Sequence, residues 1–297
     1  MRTSIRSMLL ALGLAASLAQ AQHARTVLLG EPNPEAAEAP SQHKFVHPIS
    51  APYHHEDAFI TSDVRAWFVH HEFDDNTQLG DGGDAQTAAV QLRLAITSRL
   101  QLVAYKDGYL WLNTDLVDEE GWVDIAAGLK YAIVQDFKNQ FHWAVGAGYE
   151  FPWGDPKVLQ NDDELRIWTS VNKGFDAWHF GGTLNLFVPT NSDDSLGNSD
   201  RLSWHLHADY RLNDWISPVL EVNGYHVLDA DDSPINFHGA DVLNIGTGAG
   251  DMTITVAPGV ELRPTDSIGL RGAFEFPITS EEDLFGHRFT LSAVWSF

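Results

Sequence analysis

From about residue 61 to the end, apolar and polar residues alternate one for one in segments of ten to thirteen residues, with turn-forming residues between them. No other feature limits the fold as much. A period of two puts successive side chains on opposite faces of a strand, whereas a helix needs 3.6. In 140–151, Phe141, Trp143, Val145, Ala147, Tyr149 and Phe151 share a face. Leu202, Trp204, Leu206, Ala208, Tyr210 and Leu212 do so in 201–212, and Val123, Ile125, Ala127, Leu129, Tyr131 and Ile133 in 122–134. Twelve such strands are expected, near 61–73, 86–97, 100–111, 122–134, 140–151, 164–173, 177–188, 201–212, 215–227, 251–263, 267–276 and 288–297. The third and ninth alternate least cleanly, and their facing stays open.

The connections alternate as well. Short ones fall at 98–99, 135–139, 174–176, 213–214 and 264–266, and long ones at 74–85, 112–121, 152–163, 189–200, 228–250 and 277–287. An even strand count with short turns at one end and long loops at the other fits a transmembrane antiparallel up-and-down β-barrel. The final strand would then pair with the first and close the wall. Aromatic residues support membrane insertion because they gather in two groups. Tyr131, Phe141, Trp143, Trp178, Phe180 and Tyr210 lie near the short turns, and Tyr149, Phe151, Trp204, Phe274 and Phe276 near the long loops. Two such girdles mark the two membrane–water interfaces. An exported sandwich or lipocalin-type barrel also alternates but turns its apolar face inward.

The N-terminal part is of a different kind. Residues 1–21 have Arg2 and Arg6, an apolar run from Met8 to Leu18 and the small pair Ala19 and Ala21, which is the layout of a secretory signal peptide. That run is too short to span a bilayer as a helix, and no later stretch supplies 18 consecutive apolar residues. Residues 22–60 hold Pro32, Pro34, Pro40, Pro48 and Pro52 without a sustained period, and read as an irregular periplasmic leader. Its Phe45, Val46, Ile49, Tyr53 and Phe59 are too apolar for a purely solvated tail. The leader is therefore expected either to tether loosely or to fold into the barrel 61–297 as a plug.

Charge narrows the function. With 18 Lys and Arg against 41 Asp and Glu, the chain lacks the basic footprint of nucleic-acid binding. With no cysteine, disulfides, thiolate metal sites and cysteine nucleophiles are excluded. The long connections are rich in Asp and Glu, with Lys157 their one Lys or Arg, so the outer rim is expected to be acidic, bridged to lipopolysaccharide or attractive to cationic solutes. Within the strands the charges fall opposite the apolar face, because a Lys or Arg facing lipid at mid-membrane costs roughly 2–4 kcal/mol. Arg93, Asp124, Lys130, Glu150, Arg166, His205, His207, Asp209, Arg211, Arg271 and Glu275 are the candidates for lumen-lining groups on a solute path; Glu261, Arg263 and Arg288 share their face. The same residues could equally be ion pairs that fill and stiffen the barrel.

Histidines offer rival chemistry. Ser203, His205, His207 and Asp209 share one face and contain the residue types of a hydrolytic triad or a metal site. Residues two apart on a strand lie about 7 Å apart along it, which argues against both. His54, His55, Glu56 and Asp57, with His70, His71 and Glu72, hold the residue types of a transition-metal site.

On "FITSDVRAWFVHHEF", "LQLVAYKDGYL", "GWVDIAAGLKYAIV", "GAGYEFPWGD" and "GAFEFPITSEEDLFGHRFTLSAVWSF", the region 59–297 resembles outer-membrane barrels grouped with transporters of the phenol meta-degradation pathway. The closing strand with Trp295 and Phe297 resembles the C-terminal assembly signal of bacterial outer-membrane proteins. These likenesses imply the outer membrane of a Gram-negative bacterium, partners in outer-membrane lipid, lipopolysaccharide and the barrel assembly machinery, and a transporter role; they carry no functional residues over and nothing firm about a phenolic substrate. The resulting expectation is a narrow, charged channel for small solutes with no cofactor and no enzymatic step. A membrane-embedded hydrolase and a structural or adhesion barrel with a filled lumen are its rivals.

Overall fold

The computed structural model describes residues 26–39, 43–75, 82–160, 163–190, 199–229, 249–250, 252–279 and 285–297. The expected signal peptide and much of the expected acidic rim, including Asp193, Asp194, Asp231 and Asp232, lie outside the described residues. Among the described residues, fourteen strand segments form one antiparallel sheet: β1 (Asp63–Glu72), β2 (Gly83–Ala95), β3 (Leu100–Lys106), β4 (Tyr109–Thr114), β5 (Asp118–Trp122), β6 (Ile125–Asp136), β7 (Phe141–Phe151), β8 (Glu164–Phe175), β9 (Trp178–Pro189), β10 (Asp200–Tyr210), β11 (Ile216–Asp229), β12 (Met252–Thr265), β13 (Ile268–Pro277) and β14 (His287–Ser296). The sheet closes on itself, since β1 pairs with β14 on one side and with β2 on the other, with Trp67 opposite both Ser292 and Ala89. Closure leaves the first and last strands of the wall with no free edge; β5, paired among the described residues with β4 alone, keeps one.

The wall has twelve staves. β4 prolongs β3 across Asp107–Gly108, and β5 leads into β6 across Val123–Asp124, so two staves are each made of two segments. The two breaks are neighbours, joined by the Val123 N–H donating to the Gly108 carbonyl at 3.1 Å. Gly108 has φ +132°, and a Cβ there would sit 2.7 Å from the Ala88 carbonyl oxygen, so the break requires glycine. Past the break the alternation changes phase. Val103 and Tyr105 point inward below it, Leu110 and Leu112 above it. This is why the third stave reads poorly in sequence.

Two expectations are corrected here. Val123 does not share the outward face of Ile125; it is buried with Phe73, Ala85, Leu110, Leu112 and Val158, a small apolar core at the long-loop end. The 112–121 connection is not a long loop, because β4 and β5 extend the hairpin to a tight turn where Thr114 N–H donates to the Val117 carbonyl at 2.8 Å. The ninth stave, β11, turns Ser217, Val219, Glu221, Asn223, Tyr225 and Val227 inward and Ile216 and Leu220 outward.

Elsewhere the alternation gives the facing directly. Leu129, Leu184, Leu206, Leu270 and Leu291 are exposed on the outside, with Trp178 53% and Trp295 56% exposed, whereas Arg65, Arg93 and Arg166 are each 1% exposed inside. An apolar belt of this extent around a closed wall is untenable in water and is what a bilayer requires. The interior is filled. The segment Phe45–Ile60 is buried along its whole length. It enters from the short-turn end, turns back at Ala51 (φ +51°), where the His54 and His55 N–H groups both donate to the Ala51 carbonyl at 2.9 Å, and returns to β1. Ahead of it, the leader forms a one-turn helix, α1 (Pro34–Glu38), capped by Asn33 Oδ1 accepting from Glu35 N–H.

Candidate functional site

The interior has two chemically different sides, and the buried segment lies between them. On one side, β1, β2, β6 and β8 supply cations. Arg93 donates to both oxygens of Glu56, Nε to Oε1 at 3.1 Å and Nη2 to Oε2 at 2.6 Å. Lys130 Nζ donates to Glu56 Oε1 and to the Asp57 carbonyl, both at 2.9 Å, and lies 3.5 Å from Asp57 Oδ1. Arg65 Nη2 is 3.6 Å from Asp57 Oδ2 and is held by Asp63 at 2.7 Å. Arg166, gripped by Asn185 Oδ1, donates to the Tyr53 carbonyl at 2.8 Å and the His54 carbonyl at 2.6 Å. Ser170 and Thr183 hydroxyls both donate to the Glu56 carbonyl.

Burial alone would raise both segment carboxylates. Instead Arg93 and Lys130 hold Glu56, and Lys130 and His47 hold Asp57, well below the ordinary carboxylate range. Both are therefore ionised, and removing one partner of such a pair typically costs 3–5 kcal/mol.

On the other side, β10 and β11 supply carboxylates. Glu221 accepts from the Ile49 N–H at 3.0 Å and the Ser50 N–H at 2.6 Å, and also from the Ser50 hydroxyl. Asp209 accepts from the Val46 N–H at 3.1 Å. His207 lies between them, Nδ1 2.7 Å from Glu221 and Nε2 3.1 Å from Asp209, and His179 Nδ1 is 2.7 Å from the other Asp209 oxygen. The segment thus gives backbone N–H groups to the anionic side and carboxylates and carbonyls to the cationic side.

A directed relay runs around the wall between the two. Arg166 donates to Asn185, Asn185 Nδ2 to Ser203 Oγ at 2.9 Å, and Ser203 Oγ to His205 Nε2 at 3.0 Å. His205 Nδ1 donates to Asn223 Oδ1 at 2.8 Å, and Asn223 Nδ2 to Ser50 and Glu275 at 3.0 and 2.8 Å. Ser203 and His205 do come together as the hydrolytic reading requires. Asp209 does not orient His205, however; Asn223 does. The Ser203 oxygen is buried and occupied by Asn185, and the His54 and His55 rings stack against His205 with centroids 5.9 and 5.2 Å away, so no acyl group reaches it.

The other candidates are inward and buried too, but tied to wall or loop partners. Glu150 pairs with Lys106, Arg211 with Asp214, Arg271 with Glu261 at 2.7 Å, and Glu275 with Arg288 at 2.7 Å. Asp124 accepts from the Gly154 N–H at 2.6 Å, anchoring the 152–160 loop. The two His-rich stretches do not converge: His54 and His55 face His205 and His207, whereas His71 packs on Phe73 and Phe285. Among the described residues no set of three or more His, Cys, Asp or Glu is placed to hold a metal ion. The sequence reading missed Glu221, Asn185, Asn223 and Arg65. Glu221 and Asn223 had a signal, two polar residues two apart on the face of β11 that also carries Ser217, masked by uncertainty over its facing.

No family model matches the chain, and no curated protein matches it in sequence. Solved structures similar to it include the KdgM porin in complex with disordered oligogalacturonate, at 10% identity over 80% of this chain and 99% of that chain, TM-score 0.48. A bacterial polysaccharide outer membrane secretin is similar at 8% identity over 80% and 99%, TM-score 0.42, and the outer membrane phospholipase A from Escherichia coli at 13% over 81% and 93%, TM-score 0.40. The architecture here is established by the chain's own strand pairing, closed wall and external apolar belt, which make it an outer-membrane-type β-barrel.

Proposed function

We propose that this protein resides in the outer membrane of a Gram-negative bacterium as a channel or transporter for small solutes, held closed by its own residues 45–60. The observation that carries this reading is the placement of a segment outside the wall's strands along the interior, fixed by salt bridges and polar contacts to opposite sides. Twelve staves enclose more space than the eight that side chains alone can fill, and less than the 16–18 that leave an aqueous channel. A segment of this length completes the filling. The charged passage is narrow, and Arg93, Lys130, Arg166, His205, His207 and Asp209 line it. The resemblance to phenol-pathway transporters adds to the transporter role; no phenolic solute belongs to the reading.

A structural or adhesion barrel with a permanently filled interior is the second reading, favoured by how fully the segment's polar groups are bonded. One experiment separates the two. Residues 23–52 are deleted with the first 22 kept, and the barrel is reconstituted in planar bilayers after its heat-dependent gel shift confirms folding. A plug predicts larger and steadier conductance. Unchanged conductance would leave residues 23–52 a tether rather than a plug, and no conductance at all from the folded, truncated barrel would sink the channel reading.

A further inference from the structure

We infer that the passage is built for small carboxylate solutes, above all those with two carboxylates close together, and that Glu56 and Asp57 occupy the solute's place in the closed state. The inference deepens the channel reading and rests on it.

The pattern of ion pairing carries the argument. Interior cations mostly pair with carboxylates of the wall itself: Arg65 with Asp63, Lys106 with Glu150, Arg201 with Glu164, Arg263 and Arg271 with Glu261, Arg288 with Glu275. Those pairs survive if the segment leaves. Arg93 and Lys130 differ. Among the described residues, the carboxylates they contact, Glu56 for both and Asp57 for Lys130, come from the segment alone. Arg93 otherwise has the Gln91 side-chain oxygen at 3.2 Å.

The pocket around these two carboxylates is made of donors. Arg93 embraces Glu56 from two nitrogens, Lys130 bridges Glu56 and Asp57, and Arg65 stands 3.6 Å from Asp57. Ser170 and Thr183 offer hydroxyls, and Arg166 offers the two nitrogens now spent on the Tyr53 and His54 carbonyls. Departure of the segment would leave two buried cations without a carboxylate in contact, Arg93 keeping only Asp63 opposite it on β1, which is strongly unfavourable unless another anion arrives. The anionic side loses the segment's N–H and hydroxyl donors but no ion-pair partner: Glu221 keeps His207, and Asp209 keeps both His207 and His179. The vacated passage therefore selects for anions. A dicarboxylate is the closest replacement, because Lys130 already contacts two carboxylates at once. The acidic connections act at entry, where salt screens them over about 10 Å at 0.1 M; at the constriction the nearest pairs decide.

The test uses succinate, its neutral diamide succinamide and the diamine putrescine, so that shape is held while charge changes. In the full chain, Glu56→Gln with Asp57→Asn removes the internal anions and keeps the segment's shape. This variant in detergent micelles should bind succinate about tenfold or more tightly than succinamide, the factor expected of one or more charge-assisted hydrogen bonds. Putrescine should not bind, and adding Arg93→Gln and Lys130→Met should abolish the preference. In bilayers and liposomes the double variant should prefer anions and take up succinate faster than putrescine. The unmodified protein supplies a measurement free of folding effects: succinate, but not succinamide at matched ionic strength, should speed protease cleavage within 45–60. Absent succinate binding, or equal response to the three probes, overturns the inference. Binding without any rise in flux would leave the carboxylate site standing and remove the channel reading. Flux without charge preference would do the reverse.

Discussion

Arg166→Met should release the interior segment while leaving the wall intact. The Arg166 guanidinium donates to the Tyr53 and His54 carbonyls just beyond the turn at Ala51. Each hydrogen bond to a charged donor contributes about 1.5–3 kcal/mol. Losing two removes about 3–6 kcal/mol from docking of the segment. Even the lower figure changes the ratio of docked to released segment by about two orders of magnitude. The wall tolerates the change. Methionine fits between the Tyr105 and Trp168 rings, whose centroids each lie 4.7 Å from the guanidinium carbon, and keeps favourable sulfur–aromatic contact there. Single-channel recording should show frequent, long openings in place of a quiet baseline, and limited proteolysis should cut the 45–60 region. A folded variant with wild-type baseline and a protected segment would refute the idea that these contacts hold the passage closed.

Acid should loosen the segment in the same way. Burial lowers the His55 imidazole from 6.5 to about 4, and His54, buried beside Arg201, Arg166 and His205, is lowered well below 6.5. Glu221, Glu56 and Asp57 face His55 and His207 lies beside it, yet burial prevails. The released segment binds protons near pH 6.5 and the docked one does not, so docking is complete above 6.5 and weakens as pH falls toward 4. For His55 alone the docking equilibrium should fall roughly tenfold by pH 5.5, read as a rise in open probability; conductance flat between pH 7.5 and 5 would contradict it. Trp295→Ser with Phe297→Ser should impair assembly without blocking export. β14 closes the wall against β1, the Phe297 N–H donates to the Ser62 carbonyl at 2.9 Å, and each aromatic buries about 1.5–3 kcal/mol of apolar surface in the membrane. Heat-modifiable barrel at normal yield in the outer-membrane fraction would count against it.

The period-two pattern by itself determined the all-β class, the number of staves and which face meets lipid. It could do so because a strand's side chains alternate regardless of context, and because a charge facing lipid is costly enough to fix the sign of each face. Leu202 to Tyr210 on β10 and Phe141 to Phe151 on β7 are oriented as their alternation requires. The pattern failed where the ladder breaks. At Asp107–Gly108 and Val123–Asp124 a local change of phase depends on the neighbouring stave, which no single segment can report. The sequence also placed the buried charges inside without assigning their partners. That Arg93 and Lys130 meet Glu56 and Asp57, and that Asn223 rather than Asp209 orients His205, follows from register across staves and from the path of a segment with no period of its own. Partner choice is a tertiary property, because contacts between residues 56 and 130, or 46 and 209, exist only once the wall has closed around the segment.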